Sequence, residues 1–259
     1  MTEYAKKTIT VDVEKTVNEY IEHSDWRVNA NANQGYSLGG LILNASGKVA
    51  ANYWLSCVYP PHIGELHREA DIHIHDLDIL GGYCAGWSLR KLLEEGFNGV
   101  PNTTESGPPK HLSSAVAQMV NFLGTLQNEW AGAQAFSSFD TYLAPFVKKY
   151  SMELLRDMDL YGMRFDSDES AARYIDEATY AYVFQCIQSF VFNLNIPSRW
   201  GTQTPFTNIT IDWVAPDDLK DGRLILGGEP FLYTYGELQK EMDMINRAYI
   251  AVMTRVDAR

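Results

Sequence analysis

Hydrophobic and polar positions along the chain alternate between two periods, and each period predicts a different element. Val13, Val17 and Tyr20 recur at helical spacing in Val11–Ile21 and predict a short helix. Asn29, Asn31, Asn33 and Gly35 follow as a turn-rich stretch, since asparagine side chains bond their own backbone. Val49, Tyr53, Trp54 and Val58 restore the helical period over Ser46–Val58, and Pro60-Pro61 interrupts it, with a further helix resuming at Ile63. Ile72 to Leu77 alternates instead with period two and predicts a strand.

Downstream of Gly81-Gly82 the leucines Leu89, Leu92 and Leu93 predict a helix ending near Gly96, and Asn98–Pro109 has the glycine and proline content of a linker. Three long helical patterns come next, over Ser113–Trp130, Ala133 to about Arg156, and Glu169–Asn193, with Pro145 predicting a kink or break in the second. Thr207–Trp213 alternates as a second strand, Gly227-Gly228 marks a turn, and Tyr235–Met253 closes as an amphipathic helix. Helices interspersed with strands define an α/β chain. No internal repeat, low-complexity tract or interdomain linker divides it.

Composition narrows the classes open to this pattern. The 259 residues are 46% hydrophobic and 12% aromatic, which describes a soluble globular protein and excludes disorder. Twenty-one basic against 33 acidic residues leave a formal charge of −12, contrary to a protein that tracks nucleic-acid phosphates. No stretch reaches the length of a membrane span, and the N-terminus lacks a signal-peptide core, so the expected compartment is the cytoplasm. Cys57, Cys84 and Cys186 stand far apart without CxxC spacing, as in a reducing environment.

Three features could carry chemistry. An H-x-H pair on a strand, His73-Ile-His75, places both imidazoles on one side. That arrangement suits a shared metal, completed by Asp76 or a nearby carboxylate, or a hydrogen-bonded pair lining a cleft; contact with a substrate is the preferred reading, with no metal assigned. Cys84 follows Gly81-Gly82-Tyr83 where a chain leaving a strand presents a side chain, and a thiol can give a hydrogen atom as well as attack; inert burial is the alternative. Cys57 and Cys186 fall within apolar helical patterns and read as core. Lys110, just before a helix, could meet a phosphate beside free backbone N–H groups, or simply be exposed. No Walker sequence or GxGxxG follows a strand, and Asp217-Asp218 and Asp166–Glu169 read as solvated turns and caps.

Several ordered stretches carry a family resemblance: Asp25-Trp-Arg-Val-Asn-Ala-Asn-Ala-Asn33, Tyr53-Trp54-Leu55 with Tyr59-Pro60-Pro61, His67-Arg-Glu-Ala-Asp-Ile-His-Ile-His-Asp-Leu77, Tyr83-Cys-Ala-Gly-Trp-Ser-Leu89, Gly132-Ala-Gln-Ala-Phe-Ser-Ser-Phe-Asp-Thr-Tyr-Leu-Ala-Pro-Phe146, Gln203-Thr-Pro-Phe-Thr-Asn208 and Gln239-Lys-Glu-Met-Asp243. With these the chain resembles the N-terminal part of the catalytic subunit of anaerobic (class III, oxygen-sensitive) ribonucleoside-triphosphate reductase, a glycyl radical enzyme.

The resemblance implies a fold. Residues 1–259 would form the N-terminal half of a ten-stranded β/α barrel, with long helices outside that serve dimerisation. It also implies roles. Cys84 would face the substrate ribose and deliver hydrogen at C2′; His73, His75, Asp76 and Asn208 would line the substrate cavity; Lys110 and Gln118 would lie around a site for a deoxynucleotide effector. The implied partners are a ribonucleoside triphosphate substrate, a radical S-adenosylmethionine activase, the C-terminal half of the enzyme and a second copy of the chain.

With nothing resembling the family's N-terminal ATP cone before Ile9, activity control by that module is not expected. Its thiyl-forming cysteine, its zinc-binding cysteines and the glycine that holds the radical belong to the second half-barrel, and formate or a thiol system supplies the electrons. By itself the chain is therefore expected to be catalytically incompetent, as a fragment or one piece of a split enzyme. The other open reading is a non-catalytic nucleotide-binding and dimerisation module.

Overall fold

The computed structural model describes residues 11–26, 28, 36–97, 105–197 and 204–255. The predicted turn-rich stretch at Asn29–Gly35 and most of the predicted linker at Asn98–Pro109 lie outside them. The chain forms two compact units. One comprises Met1–Ala85, Gly124–Gln134 and Ile196–Phe206; the other comprises Gly86–Leu123, Ala135–Asn195 and Thr207–Arg259.

In the first unit, α1 (Val13–Ile21) starts where Asp12 accepts the Lys15 N–H at 2.9 Å. Helix α2 (Leu38–Tyr53) is capped by Ser37 and begins earlier than its hydrophobic period predicts, running directly into a π-helical turn at Trp54–Val58. Tyr20 fastens α1 to the start of α2, its hydroxyl accepting from Ser37 N at 2.9 Å and donating to Ser37 O at 3.1 Å. The buried carboxylate of Asp25 meets Lys48 of α2 at 3.0 Å. Helix α3 (Pro61–Arg68) opens with proline at its first position, where no N–H is needed. Trp54 Nε1 donates to Ile79 O at 3.0 Å and anchors the irregular segment that follows α3.

Two corrections fall in this unit. The run Ile72–Leu77 is not a strand. Period-two alternation makes a strand only where a neighbour completes the ladder; here the Ile74 N–H is taken by a side chain, His67 Nδ1 at 3.1 Å, and Asp76 adopts φ 54°, outside the extended region. Cys57 is exposed rather than core; the π-helical turn that holds it buries Leu55 instead.

The second unit holds the main core. The elements lying wholly or mainly in it are β1 (Ala85–Trp87), α4 (Leu89–Glu95), α5 (Leu112–Leu126), β2 (Gln134–Phe136), α6 (Phe139–Leu160), α7 (Asp168–Leu194), β3 (Thr207–Ile209), β4 (Arg223–Leu226), β5 (Glu229–Thr234), a 3-10 turn at Tyr235–Leu238 and α8 (Gln239–Thr254). Among the described residues the strands make a three-stranded sheet in the order β1-β2-β3 and the antiparallel hairpin β4-β5. Helices α6, α7 and α8 pack together, and Leu143, Val147, Val183, Ile187, Met242, Ile245 and Ala248 fill their shared interior.

The long helices fall where the 3.6-residue period predicts, with three differences. Residues 134–136 form a strand before α6, so that helix starts later than predicted. It also continues through Pro145 without a break, since Leu143, Ala144, Pro145, Phe146 and Val147 are all buried and packing holds the helix across the missing N–H. The second predicted strand shortens to Thr207–Ile209. Hydrophobic patterning missed the hairpin. Its turn is Gly227-Gly228, at φ 64° and 84°, the left-handed pair that a two-residue type I′ connection requires.

Candidate active site

The residues expected to meet substrate fall in both units. His73, His75, Asp76 and Cys84 belong to the first, Asn208 to the second. Although the His73–His75 segment is not a strand, its two imidazoles do meet: their centroids lie 4.5 Å apart, edge to face at 83°. His67 joins them with its centroid 5.8 Å from His73. The sequence gives no spacing signal for His67, six residues upstream and on α3. Burial, then the charges of His73 and Arg68, hold His67 below the ordinary histidine pKa of 6.5. A ring kept neutral can accept the Ile74 N–H through Nδ1, and that bond fixes its proton on Nε2.

His73, His75 and Asp76 are exposed, so the loop presents two histidines and a carboxylate at the surface of the first unit. Among the described residues, no group of three or more His, Cys, Asp and Glu side chains has metal-holding geometry.

Cys84 is exposed and immediately precedes β1. The backbone around it is tied to residues 131–133: Ala131 N donates to Gly82 O at 2.8 Å, Gly132 N to Tyr83 O, and Ala85 N to Ala133 O at 3.1 Å. Cys186, by contrast, is buried in α7 and burial raises its thiol pKa. The two cysteines thus separate into a presented thiol and a core residue.

In the second unit Asn208 is exposed at the centre of β3. Gln118, on α5, is buried, and its Nε2 donates to Ser106 Oγ at 2.6 Å and Gly107 O at 2.7 Å, clamping the segment that leads to Lys110. Lys110 is exposed, with its carbonyl accepting Lys149 Nζ at 2.6 Å. Both residues therefore mark one junction at the start of α5. The neighbouring groove between α5 and α7, lined by Ser113, Val116, Tyr182, Cys186 and Phe190, includes neither of them. Sequence reasoning missed Tyr182, whose hydroxyl accepts the Ser113 N–H at 3.3 Å and stacks its ring on Tyr150 at 4.0 Å.

Solved structures of the Thermotoga maritima anaerobic ribonucleotide reductase share the fold. One with citrate in its active site has TM-score 0.66 at 18% identity, covering 94% of this chain and 41% of that one. Another, in complex with dATP and CTP, has TM-score 0.63 at 18% identity, covering 95% and 40%. The family model of anaerobic ribonucleoside-triphosphate reductase matches residues 30–259, and the chain belongs to that family. The enzyme of that name from phage T4 is 23% identical over 194 residues, 72% of this chain and 31% of the relative. That of Escherichia coli K12 is 26% identical over 165 residues, 62% of this chain and 22% of the relative. The chain thus spans about a third or less of the curated relatives it matches.

Proposed function

We propose that this chain is the substrate-facing N-terminal part of an anaerobic ribonucleoside-triphosphate reductase, an oxidoreductase that converts ribonucleoside triphosphates to deoxyribonucleoside triphosphates for DNA synthesis. The observation that carries the reading is the family match across residues 30–259 together with an exposed thiol, Cys84, held by backbone hydrogen bonds on both sides. In this reading Cys84 gives a hydrogen atom at C2′ as the 2′-hydroxyl leaves as water. The net two-electron reduction is balanced by formate going to carbon dioxide or two thiols going to a disulfide. In this reading His73, His75, Asp76 and Asn208 are substrate-binding residues.

The glycyl radical of the family, when present, supplies the oxidising equivalent that opens the ribose to this reduction. In this reading the glycine that bears it and the zinc-binding cysteines belong to the second half-barrel. The finer architecture in this reading is one half of a ten-stranded β/α barrel that works with the other half. The long helices serve a homodimer, Lys110 and Gln118 lie near a deoxynucleotide effector, a radical S-adenosylmethionine activase is the activating partner, and the compartment is the cytoplasm. The nucleotides named in the Thermotoga maritima complex, dATP and CTP, support a nucleotide substrate and effector.

The test is activity of the complete assembly, with the activase, formate and a nucleoside triphosphate under anoxic conditions. Wild-type assembly makes deoxynucleotide, and Cys84→Ser reduces the yield to below about 1%, the loss expected when a reacting group is removed. Retained turnover in Cys84→Ser overturns the role of that residue. An assembly that binds nucleotide and reduces none overturns the reductase reading in favour of a binding module.

A further inference from the structure

Residues 81–85 and 129–133, both in the first unit, lie against one another more closely than side chains permit. Gly82 and Trp130 form a parallel bridge, and the three backbone bonds from Ala131, Gly132 and Ala85 continue the pairing past Cys84. A Cβ on Gly81 would stand 2.8 Å from Glu129 O, and one on Gly82 would stand 2.5 Å from the Trp130 ring. Those two glycines let the segments approach. The third contact differs in kind: a Cβ on Gly132 would stand 2.9 Å from Cys84 Sγ and 2.8 Å from Tyr83 O. Gly132 is the strap residue that faces the sulfur.

We propose that Gly132 is a positioning residue for Cys84, setting the direction of the thiol by leaving open the space that its own side chain would fill. The proposal rests on the reading of Cys84 as the hydrogen donor for its importance, and on the geometry alone for its truth. A Cβ on any larger residue at 132 would stand 2.9 Å from Sγ, and real Cβ atoms essentially never approach another heavy atom within 3 Å. An alanine at 132 must therefore displace the backbone at Tyr83, whose carbonyl stands 2.8 Å from the new Cβ, and turn Cys84 about χ1 wherever that shift leaves Sγ too close. Either moves the sulfur by an amount comparable with the tolerance of a near-attack geometry, where about 1 Å of misplacement costs on the order of a hundredfold in rate. The neighbouring Gly132 N–H to Tyr83 bond transmits no such selectivity, because every residue except proline can make it.

Two measurements on the full chain test the geometry. The first is alkylation of the folded protein by iodoacetamide, resolved by site with mass spectrometry, with the exposed Cys57 as an internal standard. Gly132→Ala is expected to slow modification of Cys84 by about fivefold or more while leaving Cys57 within about twofold, a local steric effect on one thiol. Equal rates at Cys84 in the two folded proteins overturn the proposal.

The second is a double-mutant cycle by thermal unfolding. Cys84→Ala removes the atom 2.9 Å from the added methyl, so Cys84→Ala with Gly132→Ala recovers part of the melting temperature that Gly132→Ala loses. Additive losses overturn the proposal, including the case in which Gly132→Ala alone fails to fold and Cys84→Ala does not restore it. In the active assembly, Gly132→Ala lowers kcat with KM unchanged, the signature of a misplaced reacting group. If Cys84→Ser keeps its turnover, the reductive role of Cys84 falls while the alkylation result stands, so the two failures are distinguishable.

Discussion

Asn246 donates through Nδ2 to Asp140 Oδ2 at 2.8 Å, joining α8 to the first turn of α6 across 106 positions of sequence. Asp140 is fully buried and also accepts the backbone N–H groups of Asp212 at 2.9 Å and Trp213 at 3.0 Å. One carboxylate thus holds two helices and the chain leaving β3, including Trp213 at its left-handed φ of 66°. The Thr141 N–H donates to the same carboxylate at 3.0 Å, so Asp140→Ala removes the acceptor of four donors, and the expected loss is about 3–5 kcal/mol. Asn246→Ala leaves the three backbone donors in place and should cost roughly 1–3 kcal/mol. Urea unfolding of the two variants checks the order; an Asp140→Ala variant as stable as Asn246→Ala rejects the hub.

The histidine loop should respond to pH with a defined sign. His67 has a folded pKa below 6.5, from burial first and then the charges of His73 and Arg68. The unfolded chain therefore takes up this proton before the folded chain does, and stability falls as pH is lowered. The contribution is fully present above about 6.5 and is lost as pH falls through the depressed folded value. Protonated Nδ1 can no longer accept the Ile74 N–H, so the 72–76 loop loosens in the same window. The stability difference between wild type and His67→Gln should shrink over that range, and a pH-independent difference counts against it.

Thiol accessibility gives a count. Cys57 and Cys84 are exposed, and Cys186 is buried with its thiol pKa raised by burial. An aromatic disulfide reagent should therefore react with two thiols in the folded protein and with the third only after denaturant is added. Three fast thiols in native protein would show that the core around α7 is open.

The hairpin turn separates strain from crowding. Gly228 has φ 84° and its nearest neighbour is Pro108 Cγ at 3.8 Å, so Gly228→Ala costs backbone strain of about 1–2 kcal/mol. Gly227 has φ 64° and a Cβ there would stand 2.8 Å from Lys110 Cγ, adding steric cost, so Gly227→Ala is expected to be the more damaging of the two. Melting temperatures of the two single variants decide the order.

Much of the fold was legible because long helices write their period over many turns. The patterns at 113–130, 169–193 and 235–253 reappear as α5, α7 and the 3-10 turn with α8. Short segments were less legible. The alternation of Ile72–Leu77 looked like a strand because side-chain period cannot report whether a partner strand exists, and His67 took the N–H that a ladder needs. Strands β4 and β5 went unnoticed although their turn, Gly227-Gly228, was marked, since their buried faces are only a few residues long. Cys57 read as core because a π-helical turn shifts the phase of the face it occupies.

The amino-acid sequence by itself determined the α/β class, the acidic globular character, the helical skeleton and, through its ordered motifs, the reductase family. These are properties of local period and of residue order, which survive without coordinates. Only the tertiary structure decided that His67 completes the histidine group, that Asp140 ties three segments together, and that Gly132 stands against the sulfur of Cys84. Each of those pairs distant positions, and a chain of residues carries no record of which atoms come within 3 or 4 Å until packing has brought them there.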